Sequence, residues 1–385
     1  PLSLKCGTGG SNVLIMLGNY KIIVDEWAEV WDLLEPYADA KFWQWSQVEF
    51  DPRCYYIIGR LQLRTHWYQI TDLARKYPGH IILCNPAEGS QTILLQLRRL
   101  MVEDLVRNGE LGLISSGDLE PGIRYLKTDG YFTNIVEYQE NKLAHQEVPK
   151  VIAIPKPYDF LFLNGRLRPH RKWLIDQLRD QRLLHRALWS NLQDHVDMAW
   201  SSELVTGSTE PVKLLDPLYE IDRALPNLQL PVPDSGFVKH QLFGNTWGDA
   251  IINPHCYVDT CFSLVTETIY DYPYSFRTEK IWKPMIMQHP FVVAANVGYY
   301  RDLHSAGFRT FGSLIDESFD LIPNPLDRAL RIVAVIREIC YNGAWDFLQQ
   351  STEICAYNYQ RLQEHNREQR QKLPQDLLAY IGALQ

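Results

Sequence analysis

Two short segments concentrate side chains able to hold a phosphorylated ligand. The first, Asn164-Gly165-Arg166-Leu167-Arg168-Pro169-His170-Arg171, places three arginines and a histidine between an apolar run and a helical pattern that opens on proline. A helix start leaves backbone N–H groups unpaired and carries the positive end of the helix dipole, so arginines there make an anion site. The planar fork of Arg168 or Arg171 fits a diphosphate through two parallel hydrogen bonds, with His170 between them. A solvated cluster paired with carboxylates is the competing reading. The second segment runs from Glu267 to Pro284, ETIYDYPYSFRTEKIWKP. Thr278 can cap the helix that follows, and Glu279 stands in its first turn, where a carboxylate is favoured. The Glu279 oxygens could also accept the two neighbouring hydroxyls of a ribose, while Lys280 and Lys283 bring compact positive charge for phosphates. Here the competing reading is a capped surface helix with a Glu279–Lys283 charge pair one turn apart.

Both segments need a scaffold. Short β-rich runs at 20–27, 54–61, 80–86 and 111–117 alternate with helical stretches, which predicts a parallel sheet covered on both faces. The clearest helical pattern there is TILLQLRRLMVEDLVRN, with Leu94, Leu97, Leu100, Met101 and Leu105 returning at spacings of three or four. A proline-punctuated stretch, HQEVPKVIAIPKP, reads as a linker, after which YDFLFLNGR (158–166) starts a second run of strands. Strands are expected at 256–268 and 291–296, a helix at 278–288, and helical structure over 326–367 with a last short helix at 375–384. A second loop-rich region covers 204–236. The expected architecture is α/β, with two Rossmann-like lobes and a helical C-terminal tail: 1–150 on the acceptor side, 151–360 holding the donor, and 361–385 as the tail.

Bulk properties narrow the function. A length of 385 residues suits two domains, and 46% hydrophobic with 22% charged residues is the composition of a folded globular protein. A net charge of −8 argues against a long nucleic acid as partner, because such binding draws on Lys and Arg neutralising phosphates. An aromatic share of 12% suits clefts that stack sugars or bases and equally suits ordinary cores. Seven cysteines without a C-x-x-C pair read as reduced thiols in the cytoplasm, and no apolar run is long enough to span a bilayer. The sequence carries no indication of oligomeric state.

The stretch FSLVTETIYDYPYSFRTEKIWKPMIMQHPFVVAAN resembles the donor-site motif of the alpha-1,3-fucosyltransferase family and its bacterial and viral relatives, which are GT-B enzymes. FLNGRLRPHRKWLIDQL is similar to the arginine-bearing strand-to-helix corner that precedes that motif, and GFRTF and DESFD (307–320) also fit. The resemblance covers about residues 159–320 and is weak over the N-terminal half. It implies that Arg171 contacts the donor diphosphate, aided by Arg168 and His170, and that Glu279 and Lys280 hold ribose and phosphate beside Thr278 and Lys283. It also implies that the turn carrying Tyr272 and Phe276 lines the donor, and that Glu267, the strand-end acid, lies near the donor sugar. Two departures weaken the specificity for fucose: Phe276 stands where the family has tyrosine, and Thr268 where it has asparagine.

The implied reaction is an inverting displacement in which a carboxylate deprotonates the acceptor hydroxyl. Glu88, in a glycine-containing loop past a strand, is the expected base, with Asp118 and Asp25 as competitors. No Asp-x-Asp and no H-E-x-x-H occurs, so positive side chains and helix ends are expected to stabilise the leaving diphosphate without a metal or resident cofactor. The expected co-substrates are a nucleotide sugar, with GDP first and UDP second, and a glycan or other hydroxylated acceptor. The GTGGSN cluster at 7–12 lacks the context of a phosphate loop and reads as a turn. A nucleotide-sugar epimerase and a non-catalytic nucleotide-sugar or glycan-binding protein are the alternatives.

Overall fold

The computed structural model describes residues 20–25, 38–42, 44–86, 102–129, 156–164, 168–191, 254–272 and 274–384, with a few isolated positions between them. Within these residues the chain is α/β and builds two parallel sheets.

The first sheet is formed by β1 (Lys21–Asp25), β2 (Ala40–Phe42), β3 (Cys54–Gly59), β4 (Ile81–Cys84), β5 (Leu111–Ser115) and β6 (Leu126–Lys127), in the order β2-β1-β3-β4-β5-β6. Every described pairing is parallel. β3, β4 and β5 are buried along their whole length, as near-continuous apolar runs require when both faces are covered. Alternation sorts their side chains. Tyr56, Ile58, Leu83 and Leu113 pack against Leu63, Ile70 and Ala74 of α1 (Arg60–Lys76) and Leu105 and Val106 of α2 (Glu103–Arg107). Tyr55, Ile57, Ile82 and Ile114 face the other way.

The second sheet contains β7 (Tyr158–Asn164), β8 (Ala187–Asn191), β9 (Thr260–Thr266) and β10 (Phe291–Ala294) in the order β10-β9-β7-β8, again parallel. Its helices are α3 (Pro169–Asp180), α4 (Pro254–Val258), α5 (Glu279–Ile286), α6 (Tyr299–Ser305), α7 (Pro325–Asn342) and α8 (Ala344–Gln350). Phe160, Phe162, Phe262 and Phe291 join Leu174 and Leu178 of α3, Ile332 and Ile336 of α7 and Phe347 of α8 in one core. The expected strand over 256–268 starts only at Thr260, because Pro254 opens a helical turn, for which its fixed φ is preset. Thr260 Oγ1 then donates to the Cys256 carbonyl (2.7 Å) and closes that turn.

A 33-residue helix, α9 (Thr352–Leu384), leaves the second core and covers the open face of the first sheet with Leu373, Leu377, Tyr380 and Ile381. It passes through 361, the expected start of the tail, without a break. It also runs through 368–374, Pro374 included, where a gap between two helices was expected. Leu373 and Pro374 are both buried there, and that packing outweighs the backbone hydrogen bond proline cannot make. Close approach depends on Gly112 of β5, where a Cβ would stand 2.9 Å from Ile82 Cγ1 and 3.0 Å from Leu384 Cδ1. The six described cysteines are free and buried, and no described helix is long and apolar enough to cross a membrane.

Asp320 accepts from the backbone N–H groups of Tyr300 (2.9 Å) and Arg301 (3.4 Å) and so fixes the start of α6. One turn earlier, Glu317 takes the Thr310 hydroxyl and the Phe311 N–H, and burial pushes its carboxyl up to about 7. A carboxyl raised on folding contributes stability that is full below its unfolded value and is lost as pH rises through its folded value. Stability should therefore fall by about 3 kcal/mol between roughly pH 4.5 and 7. Urea titrations across that range should give a flatter curve for Glu317→Gln. Equal slopes in the two proteins would contradict it.

Candidate functional site

After β7 the chain crosses to β8 on one side, and after β9 it crosses to β10 on the other. The carboxyl ends of β7 and β9 therefore flank a switch point, the place where open α/β sheets leave a crevice for ligands. α3 and α5 start there, each following one of these strands.

Glu267, directly after β9 and fully buried, joins the two helix starts. From the first turn of α3, His170 Nε2–H donates to the Glu267 carbonyl (3.0 Å). Arg171 Nη2 donates to the carbonyls of Thr266 (2.9 Å) and Glu267 (3.2 Å). From the start of α5, the Thr278 N–H reaches Glu267 Oε1 (3.1 Å) and the Thr278 hydroxyl reaches Oε2 (2.7 Å). Tyr299 of α6 donates its hydroxyl to Oε1 (2.8 Å), and the Thr268 N–H approaches Oε2 (3.2 Å). The Glu267 carboxylate is thus engaged by four donors of its own chain, the geometry of a positioning group.

Thr278 caps α5 as its sequence position implies, accepting the Lys280 N–H (3.3 Å) while in extended backbone geometry. The Glu279 carboxylate is buried and takes Lys280 Nζ at 2.8 Å. Burial alone would raise its pKa, but the charges of Lys280 and Lys283 overcome this and hold it at about 2. Lys280 Nζ also reaches the hydroxyls of Thr278 (3.2 Å) and Thr268 (3.4 Å). His170 is held neutral by burial and by the charges of Arg171 and Arg168, which push its pKa well below the ordinary imidazole value. Its ring stacks on Tyr270 at 5.2 Å. Arg168, the N-cap of α3, is buried at the same corner.

The structure thus brings Arg168, His170, Arg171, Glu267, Thr278, Glu279 and Lys280 to one end of the second sheet, with Lys283 one turn further along α5. Phe276 instead lies in the apolar core, 2% exposed, and anchors the turn. Tyr272 is buried on the side facing the first sheet, where Glu120 and Arg98 are among the charges that act on its phenol. Glu88 lies outside the described residues. Of its competitors, Asp118 is paired with Lys127 (2.6 Å). Asp25 ends β1, fully buried, at the switch point of the first sheet between β1 and β3. It accepts the Gly59 N–H at 3.0 Å. Among the described residues, no group of three His, Cys, Asp or Glu side chains is placed to hold a metal ion.

Arg277, Asp129, Tyr299 and His365 were not legible as functional residues. Arg277, one position before the α5 cap, binds Asp129 of the segment after β6 and Asp302 of α6. His365 of α9 approaches Asp129 at 3.1 Å. The Asp118 N–H donates to the Ser275 carbonyl (2.9 Å). Burial works to raise the pKa of Asp129, yet the Arg277 charge and the His365 hydrogen bond hold it well below the ordinary carboxylate range. Arg277 stands inside the segment the sequence singles out, but its partner Asp129 is 148 positions away, a separation that spacing arguments do not cross. No family model matches the chain, and neither curated proteins nor solved structures yield a similar protein.

Proposed function

We propose that the chain is a glycosyltransferase of the two-lobed GT-B kind, similar to the alpha-1,3-fucosyltransferases. It transfers a sugar from a nucleoside diphosphate to a hydroxyl of a glycan or other acceptor. The observation that carries this reading is the meeting of the α3 and α5 starts at Glu267, on the switch point of a parallel sheet. Two helix dipoles with Arg168, Arg171, Lys280 and Lys283 suit a leaving diphosphate, whose negative charge grows as the bond to the sugar breaks. The Glu267 carboxylate already fills the first turn of α5, so the diphosphate meets Lys280 and the α3 corner rather than the Thr278 N–H. Glu279, kept ionised, is available to the ribose hydroxyls. The acceptor's base comes from the first sheet's side, with Glu88 the first choice. GDP-fucose is the first donor to try and a UDP-sugar the second, with no metal required.

Calorimetry with GDP and UDP tests the site. Arg171→Ala and Glu279→Ala should each weaken nucleotide binding by about 1–3 kcal/mol, as for loss of a charge-assisted contact. Wild-type affinity in both variants would remove the assignment. Release of free nucleoside diphosphate only when acceptor is added separates a transferase from an epimerase.

A further inference from the structure

We propose that His304, Thr310 and Glu317 form a proton-operated latch on α6, which loosens when Glu317 ionises and, through Tyr299 and Asp302, passes that change to the candidate diphosphate site. α6 has seven residues, too few for a helix to hold itself, and the segment after it grips both of its ends. At the start, the Asp320 carboxylate takes the N–H groups of Tyr300 (2.9 Å) and Arg301 (3.4 Å), and its carbonyl takes that of Gly298 (2.8 Å), whose backbone turns through a left-handed φ of 77°. At the end, a hydrogen-bonded chain runs from Nε2 of the exposed His304 to the Thr310 hydroxyl (2.8 Å) and on to Glu317 Oε2 (2.7 Å). The same helix carries the side chains that reach the site. Tyr299 donates to Glu267 Oε1 (2.8 Å), and Asp302 binds Arg277, the residue before the α5 cap.

The surroundings of Glu317 make it the moving part. Its own turn brings Asp320, three positions on. α6 brings the Tyr300 phenol, on which the Glu317 charge acts, and the His304 imidazole behind Thr310. The Phe311 N–H donates to Oε1 (2.7 Å), and the Gly312 backbone lies so near that a Cβ there would stand 2.9 Å from Oε2. α7 brings Arg331, but Asp316 (2.6 Å) and Glu338 (2.9 Å) already engage it, and no described lysine or arginine pairs with Glu317 itself. Burial and the Asp320 charge therefore raise its carboxyl to about 7, against the two hydrogen bonds that favour ionisation. The same heavy atoms serve both states. While Glu317 is protonated, its O–H donates to Thr310 and the Thr310 hydroxyl donates to His304 Nε2. On ionisation the Glu317 proton passes to Thr310, the Thr310 proton passes to Nε2, and the imidazole releases its Nδ1 proton to water. Two carboxylates then share one turn without a cation, and that turn's grip on α6 weakens.

The latch belongs to the chain by itself; its effect on nucleotide affinity rests on the transferase reading. Hydrogen exchange of residues 298–305, corrected for the intrinsic pH dependence of exchange, and calorimetry with GDP test it on the full chain. Between about pH 6 and 8, wild-type protection of this segment should fall about tenfold, because a carboxyl raised on folding gives up its contribution as pH rises through the folded value. Glu317→Gln cannot ionise and should show no such fall. The ratio of wild-type to Glu317→Gln affinity for GDP should drop about threefold or more over the same range, a ratio from which the titration of GDP's own terminal phosphate cancels. Thr310→Val removes a donor that favours the carboxylate, so it should move the midpoint to higher pH, a shift that a merely structural hydroxyl would not produce. Should Glu317→Gln fail to fold, that midpoint carries the test. The proposal is overturned if wild-type protection is equal at the two pH values, if Glu317→Gln keeps the wild-type slope, if Thr310→Val leaves the midpoint in place, or if protection changes while the affinity ratio does not. A pH-dependent loss of protection in a chain that binds GDP at neither pH would reject the transferase reading and leave the latch standing.

Discussion

Arg277→Ala is expected to lower folding stability by about 3–5 kcal/mol, more than any other charge deletion outside the two cores. The guanidinium is 5% exposed and lies between Asp129 and Asp302, with side-chain exposures of 5% and 13%. Its removal leaves two carboxylates in low-dielectric surroundings with His365 and Lys127 as the remaining nearby bases. Urea unfolding measures the loss, and a double variant, Arg277→Met with Asp129→Asn, should recover much of it, because an apolar replacement of a buried pair costs far less than half a pair. The pH dependence supplies a second reading. A carboxyl depressed on folding, as Asp129 is, contributes stability that is present above its unfolded value of about 3.9 and is lost as pH falls through its folded value. Asp129→Asn should thus flatten the acid limb of the stability curve. A wild-type urea midpoint in Arg277→Ala would show that the ion pairs do not form.

Glu267→Ala is the second large effect, with an expected loss of about 3–4 kcal/mol and of measurable GDP binding together. Four donors from Thr268, Thr278 and Tyr299 converge on the carboxylate, and all are left facing an apolar methyl. Glu267→Gln keeps the shape yet fails as well. Each carboxylate oxygen accepts two donors, so whichever way the amide turns, its NH2 meets N–H or O–H. That variant should lose about 1–3 kcal/mol. Calorimetry with GDP alongside thermal melts separates the two effects, and unchanged values in both variants would mean that the two helix starts are held by something other than this side chain.

The two sheets are legible in the chain because β3, β4 and β5 are near-continuous apolar runs, which have few alternatives to a buried parallel strand, and because β9 is rich in β-branched and aromatic residues. The two phosphate-suited corners are legible for a related reason: Pro169 and Thr278 mark helix starts through local backbone chemistry alone. That the corners meet is not a local property. It follows from the order β10-β9-β7-β8, which puts β9 beside β7 although a hundred residues separate Asn164 from the strand-end acid, and no periodicity encodes that choice. Glu267 itself was expected near the sugar, since an acid at a strand end reads the same whether it faces a ligand or its own chain. Phe276 likewise reads as a lining residue until its burial in the core is seen. The helical turn at Cys256 and Tyr257 was hidden because Tyr257 and Val258 are residue types enriched in strands.

The path of α9 has a consequence for how the protein is made. The Leu113 N–H in the middle of the first sheet is bonded to the Tyr380 hydroxyl, 267 positions later. At ribosomal speed, on the order of tens of seconds pass between the emergence of those strands and the arrival of the side chains that cover them. Throughout that interval the nascent chain carries an apolar face that α9 has yet to cover, the kind of surface through which growing chains aggregate.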